Sequence, residues 1–216
     1  MSDATYPATL ELDYQDRLSR VTTIFRLILV IPIAIILAIL TSGSETVTTW
    51  NEGAGETVTT TTSSGLGIVG ALFVVTVLLL LFRKRYPKWW FDFNLALTRF
   101  TARVGVYILL LTDRYPSTED EQNLHLDVPY PDAKNDLNRG LPLVKWFLAI
   151  PHYFILFFLF IAVFFVTFIG WFAIIFVGRY PRGLFDFVVG VLRWTWRVQA
   201  YAILLATDKY PPFRLN

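Results

Sequence analysis

One segment of this chain occurs twice. The first copy, Arg85-Tyr-Pro-Lys-Trp-Trp-Phe-Asp-Phe, aligns with the second, Arg179-Tyr-Pro-Arg-Gly-Leu-Phe-Asp-Phe, at an offset of 94, and the alignment continues to residue 107 with 11 identities in 23 positions. Upstream, Ile31-Pro32 matches Ile150-Pro151 at an offset of 119, so the difference of 25 residues is an insertion carried by the first copy. The repeat predicts two similar units, 1–116 and 117–216.

Composition indicates the environment of both units. Apolar residues make up 55% of the chain and charged residues 17%, whereas a soluble domain carries about 25% charged residues. The excess of apolar surface predicts an all-α integral membrane protein of the cell membrane. The chain has no cysteine, which excludes disulfides and thiolate metal sites.

The first unit contains two apolar stretches, at about 21–40 and 65–82, each close to the length that a membrane crossing needs. Within the first stretch, Arg26 is expected to snorkel to the near interface, and Pro32 is expected to kink the helix. Residues 8–14 alternate between apolar and polar and predict a short strand, as does the similar segment 123–128. The Thr-rich insertion 41–64 predicts a β-hairpin, with a disordered loop as the alternative.

The second unit begins with a linker, 117–140, followed by an apolar run from 141 to 177. A single helix of that length exceeds the roughly 30 Å hydrocarbon core, which favours a helical hairpin that turns at 166–170. The alternative is one tilted helix from about 153 to 177, with 141–150 at the interface.

Charge placement predicts the topology. All 19 Lys and Arg residues lie outside the 41–64 insertion, so the positive-inside rule puts that insertion outside the cell and both termini in the cytoplasm. The expected result is a multi-pass protein whose two hairpins are parallel repeats, related by an axis along the membrane normal.

Segments 91–111 and 185–206 are predicted to be long amphipathic helices lying at the interface, because each carries one charged stripe on an apolar surface. We hypothesise that the arginines of these stripes contact the head groups of anionic lipids: Arg99, Arg103, Arg193 and Arg197. The alternative is snorkelling combined with structural pairing to Asp92 or Asp186. A third arrangement has both helices crossing the membrane, with three spans in each unit.

The sequence has no phosphate loop, nucleophile elbow or acidic metal run. His125 and His152 stand in unrelated contexts, so we predict no catalytic residue, cofactor or metal site. The sequence favours a non-enzymatic scaffold, a lipid-organising element or a subunit of a larger membrane assembly. Membrane lipids and a homo-oligomer or larger complex are the expected partners, and nucleic acid is not. The alternative is an oligomeric channel or transport component, followed by an enzyme.

The second unit resembles a known family of bacterial and archaeal membrane proteins, catalogued as domain of unknown function 4389. The resemblance rests on the Arg-Tyr-Pro corner at 179, Phe187-Val-Val-Gly190, the Arg193/Arg197 pair, Ala200-Tyr201 and the closing segment 207–213. The first unit departs from this pattern at Ala96, which stands where the second has Gly190. The resemblance implies a tandem pair of this domain, and it implies no activity, substrate or catalytic residue.

Overall fold

A computed structural model describes residues 6–50, 57–117 and 122–216, with backbone alone at residue 27 and at 39–50 and 57–66. The fold is mostly helical, as predicted, with two small antiparallel sheets. The described elements in chain order are β1 (Thr9–Leu12), α1 (Arg20–Leu29), α2 (Ile31–Thr41), β2 (Ser42–Trp50), β3 (Thr57–Leu66), α3 (Ile68–Leu78), α4 (Lys88–Ile108), β4 (Leu124–Asp127), α5 (Leu141–Leu148), α6 (Ile150–Val177) and α7 (Arg182–Ala202).

Both Ile-Pro pairs interrupt a helix. The first separates α1 from α2 at Val30, with a bend of 45°, and the second separates α5 from α6 at Ala149. A proline lacks the N–H that would continue the helical ladder, and its ring clashes with the preceding turn, so the helix restarts with proline in its first turn. The predicted kink at Pro32 is therefore confirmed.

The predicted hairpin at 141–177 is wrong. Helix α6 runs for 28 residues, about 42 Å at 1.5 Å per residue, straight through the expected turn at 166–170. Gly170 is a packing position: a Cβ there would come within 2.5 Å of the Tyr180 ring. The chain turns at Gly178, whose φ of +79° suits glycine. This outcome is closer to the alternative of one long helix.

The predicted span at 65–82 is shorter than expected. Helix α3 has 11 residues and is extended by a five-residue π-helical turn, Leu79–Arg83, which gives about 24 Å of helix. Within the described residues, one helical stretch, Leu141–Val177, is long and apolar enough to cross a membrane; the bent pair α1–α2 would be a second if its two arms form one span.

The insertion forms the predicted β-hairpin. Strands β2 and β3 are antiparallel, with Ser42 opposite Leu66 and Trp50 opposite Thr57. Their connection, 51–56, lies outside the described residues. The side of the membrane on which this hairpin lies remains a prediction.

The two predicted short strands also form, and they pair with each other. In this antiparallel sheet, Leu10 lies opposite Leu126 and Leu12 lies opposite Leu124. These leucines are buried, whereas the alternate residues face outwards. The main hydrophobic core lies between this sheet and helices α4 and α7.

Helices α4 and α7 begin directly after the two Tyr-Pro pairs, three residues before the predicted starts at 91 and 185. Pro87 and Pro181 have extended ψ angles and serve as the N-caps. Helix α7 is much the more buried of the two, since twelve of its 21 residues lie in the core. A helix at a lipid interface would expose one long face, and the protein itself covers most of α7.

Candidate functional site

Two of the four arginines predicted to contact lipid bind the small sheet. Arg99 Nε donates to the Leu126 carbonyl and Arg193 Nε donates to the Leu10 carbonyl, both at 2.9 Å. Leu10 and Leu126 are paired across the sheet, so the two arginines hold its two strands from opposite helices. The arginine of the first unit holds the strand of the second unit, and the reverse.

The second arginine of each stripe also reaches backbone carbonyls. Arg103 Nη1 donates to the Ser117 carbonyl at 2.6 Å, and Arg197 Nη2 donates to the Arg214 carbonyl at 2.8 Å. Arg197 is only 5% exposed, a position from which a guanidinium cannot reach head groups. For the other three arginines the lipid role stays a prediction; the Arg99 side chain is 42% exposed.

The predicted pairing of the stripes with aspartates is not observed. Asp92 lies 3.7 Å from Lys88, one turn earlier on α4, and both side chains are exposed. Asp186 is exposed and has no ion-pair partner among the described residues. The carboxylate that Arg99 approaches is Asp127, at 3.6 Å.

Each unit contains one buried ion pair. Arg26 lies 2.5 Å from Asp113, and Lys145 lies 2.7 Å from Asp208. The cationic side chains are 4% and 0% exposed. Each cation also donates to the carbonyl before its aspartate, at 3.0 Å to Thr112 and 2.7 Å to Thr207.

These pairs explain the Thr-Asp motif that ends each repeated segment. The second carboxylate oxygen accepts the Ser19 N–H in the case of Asp113, at 2.5 Å, and the Asn138 N–H in the case of Asp208, at 2.6 Å. Arg26 therefore does not snorkel to the interface as predicted, because its charge is neutralised inside the protein. In the sequence, the alignment of Arg26 with Lys145 was the signal that pointed to these pairs.

Two tyrosines form hydrogen bonds between the units, and these bonds are reciprocal like those of Arg99 and Arg193. The Tyr14 hydroxyl donates to the Tyr180 carbonyl, and the Tyr130 hydroxyl donates to the Tyr86 carbonyl. Tyr86 and Tyr180 are the buried tyrosines of the two Arg-Tyr-Pro corners. Burial raises the pKa of the Tyr180 hydroxyl to about 12, and it also raises the pKa of Tyr86. The Tyr86 hydroxyl donates to the Leu204 carbonyl at 3.0 Å, and the Tyr180 hydroxyl donates to the Val166 carbonyl at 3.5 Å.

Strand β1 packs against α7, which in turn packs against α6. At one end, Tyr14 reaches the corner that follows α6. At the other end, β1 is held by Arg193, whose neighbour Trp194 donates Nε1 to His152 Nδ1 at 3.0 Å, near the start of α6. The protein is therefore layered as sheet, α7 and α6 at this point.

The outer faces of these layers differ sharply. The sheet exposes Glu11 and Asp127, and the exposed Asp13, directly after β1, lies 3.6 Å from His125 Nε2. Helix α6 contacts the protein along one stripe: His152, Leu156, Val163, Gly170 and Ile174. Its remaining surface is apolar and exposed, and it carries Phe154, Phe157, Phe158, Phe160, Phe164, Phe165, Phe168, Phe172 and Phe176. One face of the molecule suits water and the opposite face suits lipid.

His152 belongs to an aromatic cluster. Its ring stacks on Phe213 with a centroid separation of 4.0 Å and contacts Tyr210 at 4.8 Å. This packing fixes the segment after α7 against the start of α6. In the part of the chain that the structure describes, no group of three His, Asp or Glu residues is arranged to hold a metal ion.

Comparison with known proteins identifies one domain. Residues 142–214 match the family described as domain of unknown function DUF4389. The match covers α5, α6, α7 and the segment that follows, and one copy is detected. No curated protein and no solved structure matches the chain.

Proposed function

We propose that this protein is a non-enzymatic membrane scaffold that lies with one face in lipid and the opposite face in water. The supporting observation is the pairing of an apolar outer face on α6 with a charged outer face on the β1–β4 sheet, over the same stretch of the molecule. If α6 crossed the bilayer in a monomer, the charged sheet would stand at the depth of the hydrocarbon core. Exposing charged groups there costs about 2.5–3.5 kcal/mol each on the most lenient scale.

In this proposal α6 lies along the cytoplasmic leaflet, sunk into the acyl region, and both termini remain cytoplasmic as the charge distribution predicts. Inserting this volume into one leaflet would organise lipid or present a docking platform for a larger assembly. Anionic lipid is the expected partner of the exposed cations near the corners, including Arg85 and Arg179.

We also propose that the chain is a tandem pair of the DUF4389 domain. Support comes from contacts at aligned positions: Arg99 and Arg193 hold strands, and Arg26 and Lys145 hold the Thr-Asp motifs. The turns before the two Arg-Tyr-Pro corners also agree: Lys84 has a φ of +46°, and the aligned residue of the second unit is Gly178, with a φ of +79°. The first unit departs from this shared pattern where the β2–β3 hairpin separates α2 from α3. In the sequence alignment of the two units, this point corresponds to the middle of α6.

A second candidate, an oligomeric conduit, is favoured by the dimensions of that hairpin. Strands β2 and β3 have 9 and 10 residues, which is the length of a membrane-crossing β-strand. A lone hairpin in lipid would leave its edges unpaired, so hairpins that cross must close into a barrel between copies. A scaffold needs no such closure, because its hairpin can extend into water.

Single-cysteine labelling tests the scaffold arrangement, and the absence of native cysteine removes background. Ile150→Cys and Val177→Cys mark the two ends of α6, and Glu11→Cys marks the sheet. In sealed inside-out vesicles, an impermeant maleimide should label all three positions if α6 lies in one leaflet. Labelling of only one α6 end would refute the one-sided arrangement. Mass spectrometry of the intact complex in nanodiscs, together with ion-flux measurements in liposomes, would then test the conduit.

A further inference from the structure

A cavity of about 320 Å³ lies between the two units, bounded by α3, α4, α6, α7 and the small sheet. This volume falls at the lower end of the range of about 300–1,000 Å³ found for ligand pockets. Phe160 of α6 lines the cavity and is 41% exposed, so the cavity adjoins the apolar outer face of α6. A molecule in the lipid layer could therefore reach it.

The lining is polar in part but carries no charge. Residues of one face of α4 and one face of α7 contribute hydroxyls and amides: Asn94, Thr98, Thr101, Thr195 and Gln199. Among the described residues that line the cavity, none is Asp, Glu, Lys, Arg or His. A charged ligand would lose its hydration here without gaining a counter-charge, so the cavity suits a neutral molecule.

The polar side chains of the cavity mainly offer oxygen atoms that can accept hydrogen bonds from a ligand. The hydroxyls of Thr98, Thr101 and Thr195 each donate to the carbonyl one turn earlier in their own helix, at 2.8–3.0 Å. Asn94 likewise donates its amide N–H to the Trp90 carbonyl at 2.9 Å. The oxygen lone pairs of these side chains are left to accept, so a ligand should bring hydroxyl or N–H donors.

Gly105 leaves room at the centre of this surface. A Cβ added there would meet no atom within 4 Å, although the residue lies inside a regular helix. The aligned position in the second unit is Gln199, which also lines the cavity. A side chain is therefore present on one side only, and its absence at Gly105 widens the space between the units.

We propose that this cavity binds a neutral amphiphile, a lipid with one acyl chain and an uncharged head that bears hydroxyl donors. The chain lies against Leu72, Phe73 and Phe160, and the head donates to the threonine oxygens of α4 and α7. This inference rests on the membrane location proposed above and adds a specific ligand class to it.

The test uses monooleoylglycerol, with oleate as the charged probe of equal chain length. Full-length protein in phosphatidylcholine nanodiscs is doped with either probe, and native mass spectrometry measures retention. We expect retention of monooleoylglycerol to exceed that of oleate about tenfold. Gly105→Phe should fill the cavity and reduce retention by a similar factor, while Gly183→Phe, at an exposed site with the same open surroundings, should not.

If Gly105→Phe does not fold, Thr101→Val and Thr195→Val remove acceptors without adding volume and should abolish the preference for monooleoylglycerol. Equal retention by the cavity variants and by Gly183→Phe, or a preference for oleate, would overturn the proposal. Flotation with liposomes is measured in parallel. Protein that fails to float refutes the membrane role, whereas protein that floats but retains no probe refutes only the cavity ligand.

Discussion

Replacing Asp208 with Asn will destabilise the protein far more than the same change at an exposed aspartate. The Lys145 ammonium is fully buried, 2.7 Å from Asp208, and its other neighbours are the Thr207 carbonyl and the Tyr201 ring. At an effective dielectric constant of about 20, two unit charges at this separation attract by roughly 6 kcal/mol. The amide removes that attraction and leaves the cation without a counter-charge.

Breaking a buried pair by removing one partner costs about 3–5 kcal/mol, because desolvation offsets part of the attraction. Asp208 keeps 21% of its side chain exposed, so we expect the lower end, about 3 kcal/mol. For a protein of this size, that loss lowers Tm by roughly 6–12 °C. Tryptophan fluorescence during heating of the protein in nanodiscs measures the shift.

Asp92→Asn is the matched control, since its partner Lys88 is 3.7 Å away and both side chains are exposed. A surface pair one helical turn apart contributes about 0.3–0.5 kcal/mol, which corresponds to no more than about 2 °C. Adding Lys145→Met to Asp208→Asn should recover part of the lost Tm, because no unpaired charge remains. Equal shifts at positions 92 and 208 would refute the buried-pair argument.

Three further predictions concern packing, pH and the sheet. Gly170→Ala should lower the free energy of unfolding by about 1–3 kcal/mol, because the new methyl group overlaps the Tyr180 ring. Gly183→Ala is the control, and equal melting temperatures of the two variants would contradict the packing role of Gly170. The raised pKa of Tyr180 means that its neutral form stabilises the fold below pH 10 and that this contribution is lost as pH rises through about 12. Tyr180→Phe should therefore flatten the fall in Tm between pH 10 and 12, and parallel curves would argue against it. Arg193→Gln removes a charge-assisted hydrogen bond to the Leu10 carbonyl, so the rate of amide hydrogen exchange in β1 should rise by at least about tenfold. An unchanged rate would show that Arg193 does not hold the strand.

Local features of the fold could be predicted from the sequence because local chemistry determines them. Pro32 interrupts its helix, the Thr-rich insertion pairs as a hairpin, and Tyr-Pro marks where α4 and α7 begin. The length of α6 differs from the predicted hairpin for a physical reason. The prediction compares the length of a helix with the thickness of the hydrocarbon core and places a turn at Gly170, whereas this glycine accommodates an aromatic ring inside a continuous helix.

The partners of the repeated charges could not be predicted, because they lie far away in the sequence. Arg99 and Arg193 look like a lipid-facing stripe when each helix is considered alone, and only the pairing of β1 with β4 places carbonyls in front of them. The Arg26–Asp113 pair did leave a signal. A cation and a Thr-Asp motif recur together in both units, and such joint recurrence indicates contact better than either feature alone.

The exchange of contacts between the units has a consequence for biogenesis. The Tyr6 hydroxyl lies 3.3 Å from the Arg197 carbonyl and 3.1 Å from the Lys209 carbonyl, groups that are synthesised some 190 to 200 residues later. Strand β1 likewise waits for Arg193 before it can dock. The earlier unit therefore leaves the ribosome unfinished, with its apolar surface open to aggregation. That surface stays uncovered until the later unit has been synthesised and has docked.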